Sequence, residues 1–194
     1  MTGRLRLVLA SASPRRLDLL RQIGVEPDAV IAADADETVL PRELAAAYVE
    51  RVARAKADAV AAGESGALVL AADTAVACGR RILPKAEDEA TARKCLELMS
   101  GRAHRVYTGV VLAGPASERR TRVVETRVKI ARLEAGDIAA YLSSGEWRGK
   151  AGGYAIQGLF ARHVSSIIGS YSNIVGLPLH ETANLLKGAG WRPA

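Results

Sequence analysis

Short apolar runs along the chain predict buried strands, and apolar residues spaced three and four apart predict the helices between them. Residues 5–10, apolar apart from Arg6, and the apolar run 68–72 have the length of strands, and a shorter run lies at residues 30–31. Helices are predicted from Pro14 to Gly24 and from Pro41 to about residue 62. Proline suits the first turn of a helix, and glycine often follows the last.

The second half of the chain continues the mixture. A helix is predicted over residues 88–100, and strands over residues 104–113 and 123–132 are joined by a Gly114-Pro115 turn. The remaining predicted elements are helices over 133–143 and 178–187, a strand over 164–168, a hairpin at Gly79-Arg80-Arg81, and loops over 149–158 and 169–173. Strands and helices do not alternate strictly, so the pattern predicts the α/β class with a mixed sheet flanked by helices.

Composition fits a single domain of 194 residues that is 49% hydrophobic and 25% charged. Cys78 and Cys95 form no C-x-x-C pair, so a zinc site or a disulfide scaffold is not expected. No apolar stretch approaches the length of a membrane span or a signal peptide. These features predict a cytoplasmic protein.

The net charge of +6 favours an anionic partner, which composition leaves open as nucleic acid, nucleotide or phosphate ester. Nucleic acid is not expected, because there is no long Lys/Arg run and a single Phe and two Trp offer little for base stacking. The phosphate-loop, dinucleotide and serine-hydrolase motifs are missing from the sequence. With three histidines, a histidine-rich metal cluster is not expected either.

Two segments carry candidate chemistry at predicted strand ends. Ser11-Ala12-Ser13-Pro14-Arg15-Arg16 joins a strand to a helix start, where free N–H groups and two guanidiniums suit a phosphate. A capped surface helix with solvated arginines explains the same pattern. Asp73 follows an apolar strand directly, where a carboxylate can hold a metal or take a proton from water. A turn-forming aspartate is the alternative.

Three further features complete the candidate set. Lys56 falls at the edge of the long helix's apolar face, and both it and Lys85 can simply extend to solvent. Asp36 and Glu37 offer carboxylates to complete a metal site with Asp73, or form a polar loop. The Gln157 amide suits the edge of uracil or thymine, or lies in a plain glycine turn. Together, cations, carboxylates and an amide are suited to cleaving a nucleoside triphosphate.

These segments closely resemble the Maf family of nucleoside triphosphate pyrophosphatases, nearly end to end. The matching motifs are residues 9–16, Ala72-Asp73-Thr74, residues 98–101 with His104, Val106 and Thr108, residues 150–158, residues 169–173 and residues 175–179. The resemblance implies hydrolysis between the α and β phosphates, giving a monophosphate and pyrophosphate. It also implies one domain over residues 1–194, with an elongated mixed sheet, two lobes and a central cleft, similar to the inosine triphosphate pyrophosphatases.

The resemblance also implies roles for single residues. Asp73 matches the catalytic proton acceptor, and Asp73 with Glu37 matches a site for Mg²⁺ or Mn²⁺, with Asp36 as the alternative to Glu37. The residues that match the phosphate site are Ser11, Arg15, Arg16, Lys56 and Lys85. The residues that match positions tied to substrate choice are Arg15, Thr74 and Gln157.

Two loops look like the branch of the family that prefers dTTP and UTP over 7-methyl-GTP, with related or modified pyrimidine nucleotides left open. They are residues 151–158 and 169–173. A homodimer is the expected assembly, without a membrane partner. Ala86 and His163 depart from the family pattern, which usually has Pro and an aromatic there. The alternative function is a nucleotide- or nucleic-acid-binding regulator of septum formation and cell division with little catalysis.

Overall fold

A computed structural model describes residues 5–115 and 118–192 of the chain. In those ranges the chain forms nine strands, six α-helices and one 3₁₀-helix. None of these helices combines the length and the apolar character that a membrane crossing needs.

The strands alternate irregularly with the helices. The strands are β1 (Leu7–Ala10), β2 (Ala29–Ile31), β3 (Leu68–Cys78), β4 (Arg81–Leu83), β5 (Lys85–Ala86), β6 (Ala103–Ala113), β7 (Arg119–Ile130), β8 (Lys150–Ala151) and β9 (Val164–Ile168). The helices are α1 (Pro14–Gln22), α2 (Ala45–Ala61), α3 (Glu89–Met99), α4 (Ala135–Ser144), the 3₁₀-helix Leu159–His163, α5 (Tyr171–Val175) and α6 (Leu179–Gly188).

A mixed sheet forms the centre of the fold, as the sequence predicts. Its strand order is β2-β1-β3-β6-β7-β9, with β4 paired to β3 as a seventh strand. The β2-β1-β3 part is parallel and the β3-β6-β7-β9 part is antiparallel. β5 and β8 form a separate two-stranded ribbon. The single domain with two lobes stays a prediction.

Helices cover both faces of the sheet, because side chains alternate between the faces along each strand. On one face Val69 and Ala71 of β3 pack with Ala53 and Ala57 of α2. On the other face β3 packs with α1 and α6. A further buried cluster joins α3, α4 and the 3₁₀-helix to the first half of β6 and the last residues of β7. The elements of the predicted fold are therefore confirmed, with differences at several boundaries.

β3 is longer than predicted, which corrects the placement of Asp73 at a strand end. The strand continues to Cys78 because residues 69–77 pair with β6 throughout. The neighbour on the opposite edge changes, however: β1 ends at Ala10, opposite Ala71, and β4 begins pairing at Val76. Residues 72–75 therefore have no partner strand on that edge within the described chain, and Asp73 lies in this gap.

The long helix starts later than predicted, and its buried face is rotated. Pro41 and Arg42 form a turn, and Arg42 has a φ of +63°. Apolar spacing would bury Leu44 and Ala59, yet both are exposed, whereas Lys56 lies within the buried face. The surrounding sheet covers the side of α2 that carries Val49 and Lys56, so the rotation follows from packing rather than from apolar spacing.

Two short helices were predicted as loops or not predicted. α5 begins inside the predicted loop 169–173 and ends at Val175, and the Ser170 hydroxyl caps it by accepting from Asn173 N at 3.2 Å. The 3₁₀-helix Leu159–His163 follows the glycine-rich segment. Beyond Thr108, β6 is buried on both faces rather than on one, because α2 covers the second face.

Candidate active site

A cleft of about 370 Å³ opens at the gap in the sheet beside Asp73. Every predicted site residue except Asp36 lines it: Ser11, Arg15, Arg16, Glu37, Lys56, Asp73, Thr74, Lys85 and Gln157. Lys150 lines it as well. Five cationic side chains therefore face two carboxylates, a net charge of +3 that suits a polyanionic ligand.

Lys56 joins the two carboxylates at the floor of the cleft. Its Nζ lies 2.7 Å from Asp73 Oδ1 and 2.6 Å from Glu37 Oε1. Lys56 and Asp73 are only 7% and 3% exposed, so these contacts act in a poorly solvated environment. Asp73 Oδ2 is also buried and has no hydrogen-bond partner among the described residues. The solvated lysine considered from the sequence is therefore wrong for Lys56.

Glu37 links the buried floor to the exposed rim. Its carboxylate also pairs with Lys85, whose side chain is half exposed. Partial burial raises the pKa of Glu37, but the hydrogen bonds from Lys56 and Lys85 outweigh burial and lower it to about 2. Asp36 lies outside the cleft, exposed, where its carboxylate accepts from Thr38 N at 2.8 Å. The structure thus places Glu37, rather than Asp36, beside Asp73.

Arg16 is held on the opposite side of β3 by three acceptors. Its Nε donates to Gly176 O at 2.8 Å, Nη1 to Ser11 Oγ at 3.3 Å and Nη2 to Thr74 Oγ1 at 3.3 Å. Burial lowers the pKa of Arg16, partly offset by the charge of Asp73. A guanidinium has five N–H groups, so two remain for a phosphate. Gly176 approaches this group closely with a φ of +135°, where a side chain would be strained.

Glycines and buried aromatic residues support the segment that carries Gln157. Gly152 and Gly153 have φ values of +67° and +69°, and a Cβ on Gly153 would lie 3.1 Å from Ala92 Cα. Tyr154 Oη lies 2.7 Å from His104 Nε2, and Ala155 N donates to Tyr141 Oη at 3.0 Å. Gln157 itself is exposed at the cleft rim. Its position therefore follows from the backbone that these residues hold.

Comparison with known proteins decides the family. The model of the Maf-like protein family matches residues 6–189. The chain belongs to the Maf family. It is 64% identical over 187 residues to a dTTP/UTP pyrophosphatase of Paramagnetospirillum magneticum, covering 96% of this chain and 98% of that one. It is 55% identical to the dTTP/UTP pyrophosphatase of Nitrobacter winogradskyi, over the whole of both chains.

Among solved structures, a Ham1 protein of Staphylococcus aureus superposes on this Maf chain with a TM-score of 0.48 at 22% identity. The match covers 65% of this chain and 72% of that one. The partial likeness concerns the chain path alone, and no functional conclusion depends on it.

Sequence reasoning missed one cation of this Maf cleft and the residues behind it. Lys150 stands in the family motif of residues 150–158 without a predicted role, yet it lines the cleft, where burial and the charge of Arg15 lower its pKa. Thr108 and Asn173 stand in family motifs, but their buried hydroxyl and amide were given no role. A polar residue at an inward position of a strand is the signal for such a support, because buried polar groups need partners.

Proposed function

We propose that this Maf-family chain is a dTTP/UTP pyrophosphatase that hydrolyses the α–β phosphoanhydride bond to a nucleoside monophosphate and pyrophosphate. The names of its close relatives support this substrate class. The observation that carries the chemistry is the buried Oδ2 of Asp73, a carboxylate oxygen beside a cationic cleft to which none of the described residues donates a hydrogen bond. Related or modified pyrimidine nucleotides remain within the proposal.

Asp73 acts as the proton acceptor in this proposal. Its Oδ1 is fixed by Lys56 at 2.7 Å, which leaves Oδ2 to orient a water and to accept its proton as the water attacks phosphorus. The carboxylate needs no further reorganisation, because its neighbours on β3 hold it in the sheet. Lys56 limits the cost of burying this charge.

The cationic residues bind the triphosphate and stabilise the charge that shifts to the leaving pyrophosphate. Three of the five N–H groups of Arg16 donate to acceptors within the described chain, and the other two can donate to a phosphate. Ser11 positions Arg16, while Arg15, Lys85 and Lys150 surround the open part of the cleft. Preorganised donors of this kind favour the transition state because they need not reorient when the charge moves.

Asp73 and Glu37 would hold a divalent cation, Mg²⁺ or Mn²⁺, together with phosphate oxygens of the substrate. The described residues contain no group of three or more His, Cys, Asp or Glu side chains placed to hold a metal. Two carboxylates completed by phosphates are nevertheless a usual Mg²⁺ arrangement, and the Asp73 Oδ2 left unpartnered by the described residues fits it, because a carboxylate oxygen has one lone pair for the cation and one for the water. Such a cation supplies neutralisation of phosphate charge and a lower pKa for a bound water. A homodimer stays a prediction.

The base is read by Arg15, Thr74 and Gln157, which line the same cleft. The amide of Gln157 can donate and accept, and the guanidinium of Arg15 can only donate. The buried apolar residue Ile156 and the glycines before it shape this side of the cleft.

Substitution of Asp73 tests the proposal. Asp73→Asn keeps the size of the side chain and removes its basicity, so pyrophosphate release from UTP is expected to fall by about 10²- to 10⁴-fold. Asp18→Asn, on the exposed side of α1, is the matched control and should keep the wild-type rate. Circular dichroism checks that both variants fold.

The outcomes separate the alternatives. A wild-type rate in Asp73→Asn would show that Asp73 is not the proton acceptor. If the wild-type protein releases no pyrophosphate from UTP or dTTP but binds them, the nucleotide-binding regulator replaces the enzyme. Steeply salt-dependent binding of single-stranded or duplex DNA would instead favour the nucleic-acid-binding form of that regulator.

A further inference from the structure

Discrimination of uracil or thymine from cytosine needs a group with fixed hydrogen-bond polarity. Uracil and thymine present an N3–H donor beside a carbonyl oxygen, whereas cytosine presents an N3 acceptor beside an amino group. The amide of Gln157 carries both a donor and an acceptor and can turn over, so alone it fits either edge. The hydroxyl of Thr74 lines the same cleft, and the protein can fix whether it donates or accepts a hydrogen bond.

Among the described residues, Thr74 Oγ1 has three polar neighbours. Arg16 Nη2 lies 3.3 Å away and can only donate, so Thr74 accepts from it. Thr108 Oγ1 lies 2.9 Å away, and Gly176 O lies 3.5 Å away. A carbonyl oxygen can only accept, and 3.5 Å is at the limit of a hydrogen bond. The direction of the Thr74 proton therefore depends mainly on Thr108.

Thr108 is completely buried and lies directly opposite Thr74 in the β3–β6 register. Its hydroxyl donates to Asn173 O at 3.1 Å. A hydroxyl has one proton, so Thr108 must accept from Thr74 across the 2.9 Å contact. This arrangement satisfies both buried groups, and it points the Thr74 proton into the protein.

Asn173 is itself fixed, which makes the arrangement rigid. Its Nδ2 donates to Val106 O at 3.1 Å and to Thr126 Oγ1 at 3.0 Å. Its backbone N–H is bound by the Ser170 cap of α5. The Asn173 carbonyl, which accepts the hydrogen bond of Thr108, therefore cannot move away without breaking three further hydrogen bonds.

We propose that Thr108 is a specificity-positioning residue: it accepts the hydrogen bond of the Thr74 hydroxyl and so leaves Thr74 as an obligate acceptor toward the base. The inference rests on the proposed function, in which Arg15, Thr74 and Gln157 contact the base. Thr74 then accepts from N3–H while Arg15 donates to the carbonyl oxygen at C4, the position at which cytosine has its amino group. Cytosine mismatches both positions, because its N3 is an acceptor and its amino group is a donor.

The test compares kcat/KM for UTP with kcat/KM for CTP, measured as pyrophosphate release. Thr108→Val keeps the volume and removes the hydroxyl, so the Thr74 proton is free to turn toward the cleft. We expect the UTP/CTP ratio to fall about tenfold, the size of one neutral hydrogen bond. Thr108→Ser restores the hydroxyl and should restore the ratio. Thr121→Val, a strand threonine outside the cleft, is the control.

A structural role alone gives a different result. If Thr108→Val lowers both kcat/KM values by the same factor, the proposal is overturned. Thr108→Ala is measured in the same way, so that poor folding of the valine variant does not decide the outcome. A wild-type protein that releases pyrophosphate equally well from UTP and CTP also overturns the proposal but keeps the hydrolase. Failure of the wild-type protein to release pyrophosphate from UTP and dTTP refutes the proposed function itself.

Discussion

Gly109 allows α2 to lie directly on the sheet beside the active site, and its substitution is predicted to damage both stability and activity. Gly109 pairs with Asp73 across β3 and β6. A Cβ at this position would lie 2.6 Å from the carbonyl carbon of Val49 and 2.9 Å from the amide nitrogen of Glu50. These are backbone atoms of α2, so no side-chain rotation relieves the overlap.

The size of the effect follows from the geometry. Ordinary Cβ contacts begin at 3.4 Å, and the atom nearest to the added Cβ is the backbone oxygen of Val49, so α2 must move out by about 1 Å. Lys56 lies seven residues beyond Val49, about 10 Å along the same helix. The same shift would lengthen its 2.7 Å contact with Asp73 beyond hydrogen-bond distance. For Gly109→Ala we expect a loss of about 3 kcal/mol in the free energy of unfolding, the upper end for overpacking.

Urea unfolding and pyrophosphate release from UTP measure the two consequences. Gly136→Ala is the control, because Gly136 lies in the first turn of α4, where no atom of the described residues comes within 4 Å of an added Cβ. Alanine there should stabilise the protein by up to about 1 kcal/mol, from helix propensity. A Gly109→Ala protein within about 0.5 kcal/mol of wild type, with full activity, would refute the close contact between α2 and β6.

Three further predictions concern the support of the cleft and its rim. Burial lowers the pKa of His104 to about 4, so the protein loses stability as the pH falls below 6.5, the ordinary pKa of histidine. Urea unfolding should show a loss of about 2 kcal/mol in the free energy of unfolding between pH 7.5 and pH 5. His104→Asn should remove that loss. An unchanged pH profile in the variant would assign the loss to other groups. Tyr141→Phe removes the hydroxyl that accepts from Ala155 N, and it should lower kcat/KM for UTP about threefold to tenfold while the melting temperature changes little. Equal kinetics in the variant would show that this hydrogen bond does not position the segment of Gln157. Lys85→Met should raise KM for UTP about tenfold, because it removes a positive charge from the rim of the cleft. Lys94→Met, at an exposed position of α3, is the control and should leave KM unchanged. Equal KM values for the two variants would show that the phosphates do not bind beside Lys85.

The sequence predicted most elements because apolar spacing and glycine positions are local properties. The mixed sheet and the bounds of α3 and β9 follow closely from such patterns. The extension of β3 beyond Asp73 could not be predicted, because it depends on pairing with β6, thirty residues away in sequence. An aspartate after five apolar residues normally suggests a strand end.

The candidate residues were predicted mainly through family resemblance, since their local patterns left solvated alternatives open. Lys56 shows the physical reason. Helical spacing places it near the apolar face, but its burial depends on Asp73 and Glu37, which come from other elements. Thr108 and Asn173 likewise gain their importance from a hydrogen-bonded chain that joins three separate segments. Long-range pairing of this kind leaves no periodic signal in a sequence.

Asp73 and Thr74 are neighbours in sequence, yet their side chains leave β3 on opposite faces. Asp73 meets Lys56 of α2, and Thr74 meets Arg16 of α1. Only the gap in the strand edge lets both open into one cleft. The bond-breaking machinery and the choice of base therefore reside in different packing layers. A lineage, or an engineer, can remodel the layer behind Thr74 to change nucleotide preference while the layer behind Asp73 keeps its packing and its chemistry.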